Sequence, residues 1–262
     1  MTQAPGALAE RRGNVMVITI NRPEARNAVN AAVSIGVGDA LEAAQHDPGV
    51  RAVVLTGAGD KSFCAGADLK AIARRENLYH PDHPEWGFAG YVHHFIDKPT
   101  IAAVNGTALG GGTELALASD LVVADERAQF GLPEVKRGLI AAGGVFRIAQ
   151  QLPRKVAMRL LLTGEPLTAV AACDWGLINE VAPQGSVLDA ALALAARVTV
   201  NAPLSVQASK RVAYGVDDGV VVDDEPGWER TVREMRVLIK SEDAKEGPLA
   251  FAEKREPVWK AR

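Results

Sequence analysis

The segment "NGTALGGGTELALASD", residues 105–120, decides how the rest of the chain is read. It sets three consecutive glycines, Gly110 to Gly112, ahead of a helix-forming run and plants one carboxylate, Glu114, in the first turn of that run. Glycine within a helix costs about 1 kcal/mol relative to alanine, so the triplet serves another purpose. Two purposes are open: a tight backbone turn, or main-chain N–H groups left clear for a ligand.

Strand and helix signals alternate on both sides of this segment. "VMVITI" (Val15 to Ile20) is a β-branched run that stops at the turn-like "NRPEARNA". "AAVSIGVGDALEAAQHD" has apolar residues at helical spacing and ends at Asp47-Pro48-Gly49. "VRAVVLTGAGD" and "TIAAVNG" read as buried strands entering turns, and "DLVVADERAQFGLPEV" as a strand, a turn and a shorter strand. The order predicts an α/β core. From Val187 onward the signal is helical, with no repeat at fixed period anywhere. We draw the division as an α/β core over residues 1–195 and a helical region over residues 196–262 that packs on the core or on a neighbouring subunit.

The chain has 262 residues, 48% of them hydrophobic and 23% charged, which suits a globular protein. A net charge of −3 argues against nucleic acid or an anionic membrane as the main partner. The two cysteines, Cys64 and Cys173, lie far apart with no CxxC, which points to a reducing compartment and away from thiolate zinc. The start carries no apolar stretch of signal-peptide length, and "VLDAALALAARVTV" is interrupted by Asp189 and Arg197. A cytoplasmic address is the expectation.

Several motifs fail. "GAGDKS" lacks the spacing of a phosphate loop, and "GVGDAL" lacks a third glycine and sits in a helical pattern. There is no GxSxG and no HExxH. His93 and His94 would point about 100° apart on a helix, so no metal site is expected. Three segments remain: "SFCAGADLK", the glycine triplet with Glu114, and "FGLPEVKRGLIAAGG", where Pro133 stands before Glu134. By themselves they admit bland readings. Asp68 is a helix cap in one of them, Glu114 a first-turn acid, Glu134 an exposed turn residue, and Cys64 a buried filler.

These segments lie in register with a known pattern. Through "NRPEARNA", "LTGAGDKSFCAGADL", "KPTIAAVNGTALGGGTELALASD", "FGLPEVKRG", "LLLTGEPLTAVAACDWGLINEV" and "SEDAKEGPLAFAEKREPVW", the chain resembles the crotonase family, the enoyl-CoA hydratases and isomerases, almost end to end. Its tail and "GFAG" look most like the carnitinyl-CoA dehydratase branch. The resemblance implies a spiral of ββα units with C-terminal helices that assemble a homotrimer or homohexamer. It implies an oxyanion hole made by the N–H groups of Ala67 and Gly111, and an acid/base pair in Glu114 and Glu134.

The chemistry agrees with that placement. Moving a proton beside a thioester carbonyl puts negative charge on its oxygen, and two fixed N–H donors stabilise charge that develops only there. Hydrating a 2-enoyl thioester needs a water aimed at Cβ and a proton delivered to Cα. We assign Glu114 as base toward water and Glu134 as acid toward Cα, reversed for dehydration; the roles can be shared or exchanged. Two crowded carboxyls titrate as a pair.

The resemblance further implies an acyl-CoA partner and no cofactor beyond the CoA moiety of the substrate. Ala65, Asp68 and Leu69 would meet the adenine through main-chain contacts, Arg26 and Lys70 the phosphates, and Phe251 and Lys254 a neighbouring subunit's coenzyme. Acyl choice is expected in "ENLYHPDHPEWGFAGYVHHF", with Trp86, Phe88 and Tyr91 as candidate lining. The departure "GLIAAGG" leaves the pocket near Ile140 and Ala141 open. The expected activity is that of an enoyl-CoA hydratase of fatty acid metabolism. One alternative is a carnitinyl-CoA-like dehydratase, and another, of a different class, is a non-catalytic acyl-CoA binder.

Overall fold

A computed structural model describes residues 5–262. The chain opens with β1 (Ala7–Arg12) and β2 (Val15–Ile20), then α1 (Ala31–His46). Asn30 starts α1 by accepting a hydrogen bond from the N–H of Val33, as an N-cap does. "GVGDAL" lies inside α1, consistent with its failure as a nucleotide fingerprint.

Next come three coils of similar plan. The first runs β3 (Ala52–Gly57), β4 (Ser62–Cys64) and α2 (Leu69–Ala73). The second runs β5 (Thr100–Val104), β6 (Thr107–Leu109) and α3 (Gly111–Ala118). The third runs β7 (Leu121–Asp125), β8 (Gln129–Gly131) and, after a turn of 3-10 helix at Pro133–Arg137, α4 (Ala142–Gln151). The chain continues through α5 (Arg154–Thr163), β9 (Leu167–Thr168), α6 (Ala169–Asp174) and β10 (Glu180–Ala182). Each coil gives one strand to a six-stranded sheet, ordered β1-β2-β3-β5-β7-β10, and one to a four-stranded sheet, ordered β4-β6-β8-β9. The coil strands run parallel within both sheets. This is the ββα spiral. Its strands β3, β5 and β7 begin at residues 52, 100 and 121. The unequal spacing explains why no fixed period is visible in the sequence.

The central strands β3 and β5 of the large sheet are buried on both faces, and side-chain alternation divides two cores. Val53, Leu55, Ala102 and Val104 face the small sheet and α1. Val54, Ile101, Ala103 and Val123 face Val187, Ala191 and Ala195 of α7 (Val187–Thr199). The division drawn at 195/196 therefore falls inside α7, a helix that belongs to the core. After it come α8 (Pro203–Ala213), a short hairpin of β11 (Val216–Asp217) and β12 (Val220–Val221), α9 (Glu225–Leu238) and α10 (Glu242–Glu253). That hairpin interrupts a region whose sequence reads as helix. Helix α9 packs on α4 and α10 on the 3-10 turn, so the last helices lie against the core. No helix among the described residues is by itself long and apolar enough to cross a membrane.

Candidate active site

Three strands of the small sheet are parallel neighbours, so their C-terminal ends emerge side by side. β4 runs into Ala65–Asp68, β6 into Gly110–Glu114, and β8 into Pro133–Glu134. Segments from three coils thus converge at one sheet edge, the place where parallel sheets commonly bind ligands.

Gly110 makes the turn between β6 and α3 with φ +57°, a backbone region that glycine enters without steric cost. Gly111 and Gly112 answer to space. A Cβ on Gly111 would overlap the Phe88 ring, and one on Gly112 would overlap the carbonyl oxygen of Cys64. Gly111 begins α3, so its N–H is among those a helix leaves without an internal acceptor. Ala67 reaches the same condition differently. Its neighbours bond to Val29, from the N–H of Val29 to Gly66 O at 2.8 Å and from the N–H of Asp68 to Val29 O at 2.9 Å. In a parallel bridge that pattern turns Ala67's own N–H away from Val29. Neither N–H has a backbone acceptor among the described residues. The two segments touch, for a Cβ on Gly66 would come 3.3 Å from the nitrogen of Gly111.

Glu114 is buried, and its Oε1 accepts a hydrogen bond from the N–H of Gly144 at 2.8 Å. Burial raises its pKa, against the N–H groups of Gly144 and Gly143 and the charge of Arg147. Glu134 is half-buried, yet its Oε2 is sealed from solvent and has no hydrogen-bond partner among the described residues. Burial pushes its pKa up to about 7; its own N–H opposes the rise and the charge of Glu114 adds to it. Each acid therefore lies within the electrostatic reach of the other, and the exposed-turn reading of Glu134 is overturned. Burial also pushes the Cys64 thiol up to about 12, which suits a buried filler and no nucleophile.

This environment predicts a pH-dependent stability. Glu134 in the folded protein holds its proton more tightly than an ordinary glutamic acid of pKa 4.5, so the folded state loses stability as pH rises from that value toward 7. Glu134→Gln removes the titration. The melting temperature of the variant minus that of the parent should increase across this interval, and a constant difference would refute the raised pKa.

Some contacts were not visible in sequence. Thr113 Oγ1 lies 2.7 Å from Ala108 O and 2.9 Å from Gly131 O, and accepts from the N–H of Gly131 at 2.9 Å. It ties the helix bearing Glu114 to the strand leading to Glu134. Gly144 belongs to "GLIAAGG", so the stretch that left the pocket open turns out to hold Glu114 at the N-terminus of α4. A Cβ on the adjacent Gly143 would come 2.5 Å from the Trp228 ring, which makes α9 a wall behind that helix end.

The expected coenzyme residues divide. Ala65 is exposed, and its N–H is taken by Arg26 O at 3.1 Å. Leu69, Lys70 and Arg26 are also exposed on this rim. Asp68 is engaged within the chain. Its carboxylate caps α2 through the N–H groups of Lys70 and Ala71 and meets Arg22 at 2.9 Å, while its carbonyl accepts from Ile72. Burial opposes its ionisation, but Arg22 and the cap outweigh it and hold the carboxyl below its ordinary range. The cap reading of Asp68 holds. Phe251 and Lys254 are exposed on α10 and at its end; Phe251 lies under the Arg137 guanidinium, 3.9 Å from the ring centroid.

Of the three candidate acyl-lining aromatics, only Phe88 packs on the glycine triplet. Trp86 is stacked between His83 and His94, with centroids 4.0 and 4.1 Å away. Tyr91 is buried with its hydroxyl 2.8 Å from Ser119 Oγ. A cavity of about 660 Å³ lies one turn further along α3 and α4, bordered by Leu117, Ala118, Arg147, Gln151 and Lys210. It contains neither glutamate. The acids and the free N–H groups mark the site, and cavity size does not.

The family described as enoyl-CoA hydratase/isomerase matches residues 10–262. A carnitinyl-CoA dehydratase of Salmonella enteritidis is 42% identical over 256 residues, covering 96% of this chain and 97% of its own. A solved carnitinyl-CoA dehydratase from Mycobacterium avium 104 is 90% identical with a TM-score of 0.96, over 99% of this chain and 100% of that one. A solved enoyl-CoA hydratase from Mycobacterium tuberculosis H37Rv is 46% identical with a TM-score of 0.76, over 98% and 100%. The small-sheet edge, the spiral that builds it and the match along nearly the whole chain lead to one statement: this protein belongs to the enoyl-CoA hydratase/isomerase, or crotonase, family.

Proposed function

We propose that the protein adds and removes water across the Cα–Cβ bond of an acyl-CoA thioester, as an enoyl-CoA hydratase in the forward sense. The observation that carries this reading is the pairing of Glu134 with Glu114. An acid with a sealed, unpartnered oxygen stands within electrostatic reach of a second acid, beside two N–H groups that have no backbone acceptor.

In the proposed reaction the thioester oxygen lies between the N–H groups of Ala67 and Gly111, and negative charge grows on it as Cβ is attacked. Glu114 takes a proton from the attacking water. Glu134, whose pKa is raised to about 7 so that a protonated fraction persists near neutrality, gives one to Cα. Dehydration runs the same steps backward. A double-bond shift needs one acid/base group, whereas this site has two. The reaction draws on these residues and the substrate's own CoA, for which Arg26, Lys70 and the backbone of Ala65 and Leu69 form the proposed rim. We also place the chain in a homotrimer or homohexamer, a reading supported by Leu204, Val212 and Val237, which are 78%, 82% and 69% exposed on the C-terminal helices.

The similarity to carnitinyl-CoA dehydratases supports a narrower second reading, in which the preferred thioester is a 3-hydroxyacyl-CoA carrying a quaternary ammonium. Measuring kcat/KM with crotonyl-CoA and carnitinyl-CoA separates the two. Turnover of crotonyl-CoA with little of carnitinyl-CoA supports the broad hydratase, and the opposite ratio the narrow dehydratase. Tight acyl-CoA binding with no turnover of either, nor of longer enoyl chains, refutes both and leaves a binding protein.

A further inference from the structure

We propose that the C-terminal tail of the chain positions Glu134, with Trp259 as the residue that holds the turn bearing it. This rests on the role given to Glu134 above. Because Oε2 of Glu134 has no hydrogen-bond partner among the described residues, that oxygen does not anchor the side chain. Its direction is set by the backbone of Pro133–Arg137, and what fixes that turn fixes the acid.

The turn is clamped from two sides. On one side α5 ends at Gly164, where a Cβ would come 3.2 Å from Pro133 Cα and 3.0 Å from the Lys136 side chain. On the other side lie α10 and the residues after it. Gly247 of α10 is so close to Arg137 that a Cβ would overlap the Arg137 carbonyl. A Cβ on Gly138, which closes the turn, would overlap the Asp243 carbonyl and come 3.2 Å from the ring of Trp259.

The tail is itself fastened. The N–H of Lys260 donates to Asp243 Oδ1 at 2.6 Å and that of Ala261 to Asp243 Oδ2 at 3.1 Å. The N–H of Val258 donates to Glu246 Oε1 at 2.8 Å, and the N–H of Glu242 to Arg262 O at 2.6 Å. These bonds bring Trp259 back against Gly138, although it is six residues past the end of α10 at Glu253. A tail that only covered apolar surface would not need its backbone bonded to two separate carboxylates.

The charges around Glu134 are accounted for. Glu114 on α3 raises its pKa. Within the turn, the Lys136 chain lies along Gly164 and Arg137 lies over Phe251. On α10, Asp243 and Glu246 are taken by tail N–H groups and, for Glu246, by Arg255. None of the α10 charges changes when Trp259 is replaced, so a change in Glu134 reports its position and its water.

The test compares full-length parent, Trp259→Ala and Trp259→Phe. The Glu134 carboxyl is titrated directly by carbon-13 NMR, with its resonance identified by Glu134→Gln. For Trp259→Ala we expect kcat to fall roughly 10-fold or more, the scale of a displaced catalytic group, with KM nearly unchanged. The Glu134 midpoint should move down toward the ordinary carboxylate range as water enters, and Trp259→Phe should restore both. An unmoved midpoint overturns the proposal, whether kcat is retained or falls along with the melting temperature. If the parent turns over no thioester, the functional reading fails, but the midpoint still reports whether the tail holds Glu134.

Discussion

Replacing Glu134 by Gln is expected to lower the hydration rate of an enoyl-CoA thioester by at least about 10²-fold, the usual scale of a general acid/base. Acyl-CoA binding should be largely kept. Glutamine matches the volume of glutamate and can fill the same space, but it cannot release a proton at neutral pH. The thioester grip comes from backbone N–H groups, which the substitution leaves in place. Glu114→Gln should have an effect of similar size for a related reason: the amide cannot accept a proton from water. Stopped-flow absorbance at the enoyl-thioester band measures rate, and calorimetry with a non-reactive acyl-CoA measures binding. If either variant turned over at near-parent rates, the assigned pair would be wrong. If binding were lost with rate, the carboxyls would be packing elements.

Gly112→Ala is expected to destabilise the fold at least as much as any other single alanine in the spiral. The added methyl would overlap the Cys64 carbonyl oxygen and come 2.9 Å from its carbon. A side chain can rotate out of such a conflict. Cys64 cannot, since it ends a strand paired to β6 in the buried small sheet. Overpacking of this kind costs about 3 kcal/mol or more where the surroundings are rigid. For a chain of this size each kcal/mol lowers Tm by about 2–4 °C, giving a drop of roughly 6–12 °C. A differential scanning calorimetry trace within about 2 °C of the parent would show that β4 yields easily. The close packing of the glycine triplet would then carry no strain.

Much of the site was readable because its chemistry is local. The glycine triplet, "CAGAD" and "LPEV" each end a short strand, and each carries its functional group within five residues of that end. Knowing that the strands are parallel neighbours is enough to bring Ala67, Gly111, Glu114 and Glu134 together. What stayed hidden depends on contacts between distant segments. Gly144 holds Glu114 from thirty residues away, and Arg22 engages Asp68 from forty-six. Neither shows in a spacing rule. Trp86 and Tyr91 do line a cavity, but it is the one that holds neither Glu114 nor Glu134, since aromatic content does not tell which cavity a side chain borders. The helical reading of the C-terminal region overlooked the hairpin at 216–221, whose strands are two residues each and too short to show alternation.

The unequal coils of the spiral have an evolutionary corollary. Nearly all the extra length between the first and second coil is the excursion after α2, which returns to the sheet at Thr100 and includes Phe88 along the way. Strands β4, β6 and β8 hold the proposed oxyanion and proton-transfer groups by their mutual register, and that register is blind to how long the detour is. On the proposed function, mutation and insertion there would retune which acyl groups are admitted while the water chemistry is inherited intact.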